Sequence, residues 1–178
     1  MTVPVQIWVI DTASVIELRR GVPRQVRKHV MVELDKRVND STLVYPPEVL
    51  GELERVTDEI TKKSSSDVPF TWVKRNEVKA TRYGHLYDGA REVLKKVPNL
   101  IDPEKVSVGG RDDADPHVVA LALRLKAEGY DVTIITDDVR PKSKKMSLAD
   151  AAGVFRIPSV TMRTFLVSEG IWDGQEGT

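Results

Sequence analysis

Ile7-Trp8-Val9-Ile10-Asp11-Thr12-Ala13-Ser14 is a continuous apolar run that ends in a carboxylate and passes at once into helix-forming residues. A half-exposed strand would alternate apolar and polar residues, so a run apolar on both faces reads as a buried, parallel strand. Open parallel sheets bind their ligands beyond the carboxyl ends of the strands, which is where Asp11 stands. An Asp between a strand and a helix is more often simply a helix cap, accepting hydrogen bonds from N–H groups with no other partner, and from this stretch alone the cap reading leads. What decides between the two is whether other segments bring acids to the same place.

Working outward, the chain alternates strand and helix signals. Residues 14–20 read as a helix stopping near Gly21-Val22-Pro23, and 24–38 as a second, with Val26, Val30, Met31, Leu34 and Val38 on one face. Thr42-Leu43-Val44-Tyr45 is a short strand. Pro46-Pro47 follows it, and Pro47 suits the first turn of a helix, which needs no N–H there. That helix runs to about Lys62 with Val49, Leu53, Val56 and Ile60 as its apolar stripe. Glu52 falls at the edge of the stripe, Glu54 and Asp58 point away, and Glu48 and Arg55 lie further round, where surface charge pairing is expected. Gly51 leaves room for another segment to approach.

Residues 62–67 read as a polar loop, and 68–81 and 83–97 as two helices packed through Trp72, Tyr83, Leu86, Tyr87 and Val93. A loop over 98–113, with Pro103 and Gly109-Gly110, ends in Asp112 and Asp113. The helix 115–129 is apolar almost all round and so should be buried; Asp115 before Pro116 could be its N-cap. Val132-Thr133-Ile134-Ile135 then repeats the opening pattern, an apolar run leaving through Thr136-Asp137-Asp138. A basic loop, Arg140-Pro141-Lys142-Ser143-Lys144-Lys145, leads to a short helix at 148–152. A strand at 154–156, a closing helix at 160–168 and a frayed polar tail at 173–178 complete the chain. The expected fold is an α/β three-layer sandwich: a mostly parallel central sheet flanked by helices, in one domain over 1–172.

Composition narrows the chemistry. At 178 residues the chain supports a substantial core. It has no Cys, which excludes disulfides, zinc–thiolate sites and thiol catalysis. Lys plus Arg and Asp plus Glu are 27 each. That balance argues against broad attraction to nucleic acid, while a local basic patch beside an acidic centre would cancel in the sum. No secretory signal or membrane span is legible, so a cytoplasmic location is expected. His29, His85 and His117 are predicted to fall in separate helices without ligand-like spacing. If the two buried strands are neighbours, Asp11 and the Asp137/Asp138 pair leave the sheet on one edge. Carboxylates so gathered raise one another's pKa unless a cation joins them. An all-oxygen set suits Mg²⁺ or Mn²⁺.

Four pieces in order then resemble the PIN-domain family of metal-dependent ribonucleases, which includes the VapC-like toxins. They are Val9-Ile10-Asp11-Thr12, Pro47-Glu48-Val49-Leu50-Gly51-Glu52-Leu53, Asp115-Pro116-His117-Val118-Val119-Ala120-Leu121-Ala122 and Ile135-Thr136-Asp137-Asp138. Phe155 to Val160 is similar to the family's late strand and helix. The resemblance implies that Asp11, Glu52 and Asp115 are the acidic metal-site positions, with Asp138 as the fourth acid and Asp137 as its adjacent alternative. It implies a Mg²⁺- or Mn²⁺-dependent endoribonuclease, acting as the toxin of a toxin–antitoxin pair, with an antitoxin partner and a homodimer. Thr12 and Thr136 would support the ligands. Arg140, Lys142, Lys144 and Lys145 would hold the RNA backbone.

Two departures accompany the resemblance: Ala13 stands where the family often carries Ser or Asn, and the middle section, 61–113, is longer than in compact toxins. Two other classes are consistent with the same residues. One is an inactive PIN-like scaffold that binds RNA or protein. The other is a haloacid-dehalogenase-like phosphatase, although that chemistry wants an acid where Ala13 stands.

Overall fold

The computed structural model describes residues 3–61, 68–102 and 113–175, and the side chains of 56–61 fall outside the description. The expected loop at 62–67, the Pro103 and Gly109-Gly110 loop, Asp112 and the tail 176–178 lie outside the described residues, as do the side chains of Val56, Asp58 and Ile60.

The fold is α/β with a parallel sheet. Strand β1 (Gln6–Ile10) leads to helices α1 (Thr12–Arg20) and α2 (Arg24–Asn39), then to β2 (Leu43–Val44). Helices α3 (Glu48–Thr61), α4 (Val68–Ala80) and α5 (Tyr87–Lys96) follow, with a 3₁₀ turn at Pro98–Leu100. Helix α6 (Ala114–Ala127), β3 (Asp131–Ile135), α7 (Leu148–Val154), β4 (Ser159–Val160) and α8 (Met162–Ser168) complete the described chain. The strand order is β2-β1-β3-β4 and every pairing is parallel.

The opening stretch sits at the centre of this sheet. Ile7, Trp8, Val9 and Ile10 are all buried, and alternate residues of a strand face opposite ways, so both sheet faces are covered. On one face Trp8 meets Phe165 of α8 edge-on, with ring centroids 4.8 Å apart. The order β2-β1-β3 means the chain leaves β1 toward one neighbour and returns later on the other side. The crevice of such a sheet opens at that reversal, between the carboxyl ends of β1 and β3. Register fixes who meets there. Ile10 pairs with Ile135, and Asp11 N donates to Ile135 O at 3.1 Å, so Asp11 and Thr136 emerge side by side.

Several local expectations are corrected. No strand forms at 154–156. Instead α7 runs through Gly153, and Arg156 at φ 55 reverses the chain as Ile157 N bonds back to Ala152 O at 3.0 Å. The last strand therefore waits until Ser159–Val160, and the closing helix starts at Met162 with Thr161 as its N-cap. The helix expected from Tyr83 begins at Tyr87, because Gly84 at φ 64 turns the chain first, and the half-exposed Tyr87 ring packs on His85 and His117. Among the described residues, a Cβ at Gly51 would meet nothing within 4 Å. The tail is docked at its start: Trp172 is buried, and Gly174 O accepts a hydrogen bond from Arg163 at 2.5 Å.

Among the described residues no helix is long and apolar enough to cross a membrane.

Candidate active site

Asp11 caps α1 from the end of β1. Its Oδ1 accepts from Ser14 N at 2.7 Å and its Oδ2 from Thr136 Oγ1 at 2.6 Å. Thr136 Oγ1 in turn accepts from Asp138 N at 3.0 Å, so one hydroxyl ties the exits of β1 and β3 together. The cap reading of Asp11 therefore holds as geometry. A cap on a surface helix would nevertheless keep an ordinary acidity. Asp11 is 1% exposed, and burial pushes its pKa up to about 8 against the opposing effect of those hydrogen bonds. The negative charge of Asp115 pushes the same way.

Glu52 comes from α3. Its Oε1 accepts from Ala114 N at 2.8 Å, and Thr12 Oγ1 donates to its Oε2. The first bond satisfies an N–H at the start of α6, and the second reaches the residue after Asp11. Glu52 thus joins the first turns of α1 and α6. Burial first, then the charges of Asp115 and Asp113, raise its pKa to about 7.

Asp115 is buried in the first turn of α6 without being its cap. That place belongs to Asp113, whose Oδ1 accepts from Asp115 N at 3.3 Å. Asp115 Oδ2 lies 2.5 Å from Lys145 Nζ. Burial and Asp113 raise the Asp115 pKa, Lys145 lowers it and Asp138 raises it, leaving it about 6. Three carboxyl groups from three separate segments, two buried and Glu52 half-buried, are thus linked through the charge of Asp115.

The pair at the end of β3 divides. Asp137 Oδ2 accepts from Ser14 Oγ at 2.7 Å and from Met162 N at 3.1 Å, so it fastens α1 and the start of α8; its charge also raises the pKa of Glu17. Asp138 Oδ2 accepts from Leu148 N at 3.1 Å, at the start of α7, and its charge acts on Asp115 and Lys145. Of the two, Asp138 belongs to the acidic group.

The basic loop divides too. Arg140, Lys142 and Lys144 are exposed, whereas Lys145 is turned inward onto Asp115. Asp113 and Lys145 are members of the cluster whose place the sequence did not disclose. Asp113 stood beside Asp112 without a distinguishing signal, and Lys145 was one of several similar cations.

A second polar group was also missed. Glu48, expected at the surface, is 8% exposed, and its Oε1 lies 2.6 Å from His85 Nδ1 and 3.3 Å from His117 Nδ1. Two of the three histidines therefore converge on one carboxylate, His85 from the turn before α5 rather than from a helix. Among the described residues, Glu48 Oε2 and His117 Nδ1 are buried without a hydrogen bond. Burial lowers the His117 pKa. The helical wheel placed Glu48 away from the α3 stripe, but α6 and the 83–86 turn cover that side.

Among the described residues, no three His, Asp or Glu side chains already form a metal-holding group. The chemistry of the acidic donors does suit a hard divalent ion: all oxygen, and raised in pKa first by burial and then by neighbouring carboxylates, so that a cation would restore their charge. No curated protein matches the chain. A family model described as a domain of unknown function (DUF4411) matches residues 8–172, nearly the whole length, and the chain belongs to that family.

Proposed function

We propose that the chain is a divalent-metal-dependent nuclease that hydrolyses phosphodiester bonds in RNA. The observation that carries this reading is that Asp11, Glu52 and Asp115 are each raised in pKa by burial, with the charge of Asp115 acting on both Asp11 and Glu52 and those of Asp113 and Asp138 on Asp115. Each acid also makes structural contacts, but caps and ties can be made at the surface, whereas acids gathered under cover incur repulsion and burial that a bound cation would relieve. The order of the four sequence pieces supports RNA as the substrate, by resemblance to the PIN-domain ribonucleases.

Asp11, Glu52 and Asp115 would hold the ion, with Asp138 beside them. A bound Mg²⁺ or Mn²⁺ supplies an activated water and neutralises charge building on the phosphate. Thr136 and Thr12 fix the orientation of Asp11 and Glu52 through their hydroxyls. Asp113 and Asp137 hold the first turns of α6 and α8. Arg140, Lys142 and Lys144, exposed just beyond β3, would contact backbone phosphates. In the net reaction water adds across one P–O ester bond, leaving a phosphate monoester and a free hydroxyl.

The resemblance extends the proposal to a toxin with an antitoxin partner and a homodimeric state. A neighbouring reading frame for a small DNA-binding protein would support that extension, and an isolated gene would count against it.

The test is cleavage of RNA in Mg²⁺ or Mn²⁺ by the native chain and by Asp11→Asn. Cleavage lost in the variant is expected. Equal cleavage by both overturns the assignment of the acids, and no cleavage by the native chain favours the scaffold reading.

A further inference from the structure

The acidic group already contains a cation. Lys145 belongs to the segment between β3 and α7, which is fastened at several points. Lys142 and Lys145 exchange backbone hydrogen bonds at 2.9 and 3.2 Å, Met146 N donates to Asn99 O at 2.7 Å, and Ser147 caps α7. From this anchored backbone the Lys145 side chain, 17% exposed, reaches Asp115, whose side chain is 10% exposed. Its Nζ occupies an oxygen of a carboxylate that the proposed function needs as a ligand.

We propose that Lys145 is a tethered competitor of the divalent ion: its ammonium closes Asp115 to metal, and the ion binds only as Lys145 withdraws. The inference rests on the proposed function, because it concerns an ion held by Asp115. A charge-assisted contact between largely buried partners is not neutral to a ligand that must replace it. A divalent ion taking Asp115 Oδ2 has to displace a cation that the chain itself supplies at high local concentration. The contact thus sets the metal concentration at which the site fills.

The experiment is titration calorimetry of the folded native chain, Lys145→Met and Lys145→Arg with Mn²⁺. Methionine keeps most of the stem and removes the charge, and arginine keeps the charge. Lys145→Met is expected to bind Mn²⁺ about tenfold more tightly or better, from the loss of one charged hydrogen bond. Lys145→Arg should bind as weakly as the native chain. Equal or weaker binding by Lys145→Met overturns the inference and leaves the metal site standing. Absence of Mn²⁺ binding in all three overturns the metal site and the inference together.

Should Lys145→Met fail to fold, the native chain gives a second reading. Acylation of Lys145 by a lysine-reactive reagent, followed by mass spectrometry, should rise on adding Mn²⁺. Unchanged or reduced labelling overturns the inference.

Discussion

Thr136 donates a hydrogen bond to Asp11 across the β1–β3 seam at 2.6 Å and accepts one from Asp138 N at 3.0 Å. The hydroxyl is wholly buried, so neither bond has water as a substitute. Thr136→Val keeps the shape and removes both. Leaving Asp11 Oδ2 and Asp138 N unpaired should cost about 1–3 kcal/mol, read from urea unfolding. Thr136 also holds the Asp11 pKa down, so its loss should move that group further up, read by carboxyl-carbon NMR. An unchanged Asp11 titration would show that the bond does not stabilise the carboxylate.

The same acids give stability a definite pH slope. In the folded chain Asp11, Glu52 and Asp115 titrate near 8, 7 and 6, all above their ordinary values of 3.8, 4.5 and 3.8. The folded state therefore holds protons that the unfolded state has released, and stability falls as pH rises through that interval. Their contribution is complete below about pH 4 and is lost progressively up to about pH 8. His117, lowered by burial, acts in the opposite sense, destabilising the fold as pH drops below its ordinary value of 6.5. Comparison with Asp11→Asn isolates the acid part: the variant's melting temperature should fall less between pH 6 and pH 8 than the native chain's. Mn²⁺ should remove most of the native slope, because a bound ion replaces the protons.

The fold was legible because its signals are local and one-dimensional. The apolar runs Ile7–Ile10 and Val132–Ile135 each end in polar residues, and both became buried parallel strands. The 24–38 periodicity likewise gave α2, with Val30, Leu34 and Val38 buried. The failures are places where backbone conformation decided. Arg156 at φ 55 delayed the last strand, and Gly84 at φ 64 delayed α5. In the site, Asp11, Glu52 and Asp115 could be named because each stands at an element boundary or stripe edge. Lys145 could not be separated from Lys142 and Lys144, because its inward turn goes with tertiary fastening of its loop, such as Met146 N to Asn99 O, that no local pattern records. Glu48 and His117 escaped because their partnership spans α3 and α6, and no periodicity within either helix records what covers it.

Asp137 and Asp138 are adjacent yet should answer mutation differently. Asp137 serves two donors, Ser14 Oγ and Met162 N, and so acts as a clasp between α1 and α8. Asp137→Ala should lower stability by about 1–2 kcal/mol, as for loss of a helix cap, while leaving Mn²⁺ affinity nearly intact. Asp138→Asn keeps an oxygen for Leu148 N and removes the charge felt by Asp115 and Lys145. It should leave the fold standing and weaken Mn²⁺ binding. Calorimetry and thermal melting on the two variants would reverse the assignment if the effects were exchanged.

Glu48 supplies the last test, one of stability alone. Its side chain is 6% exposed and lies against His117, itself 6% exposed, while the His85 side chain is 52% exposed. Tyr87 stacks on the His85 ring at 5.1 Å and meets the His117 ring edge-on at 5.6 Å, so both imidazoles are held in place around the carboxylate. Removing Glu48 leaves the buried His117 Nδ1 beside a cavity. Glu48→Ala should therefore cost about 2–4 kcal/mol, below the full cost of breaking a buried pair because His85 can turn to water. Glu48→Gln keeps the shape and an acceptor oxygen, and should recover more than half of that loss. A urea midpoint for Glu48→Ala indistinguishable from the native value would mean that Glu48 contributes no stability through His85 and His117.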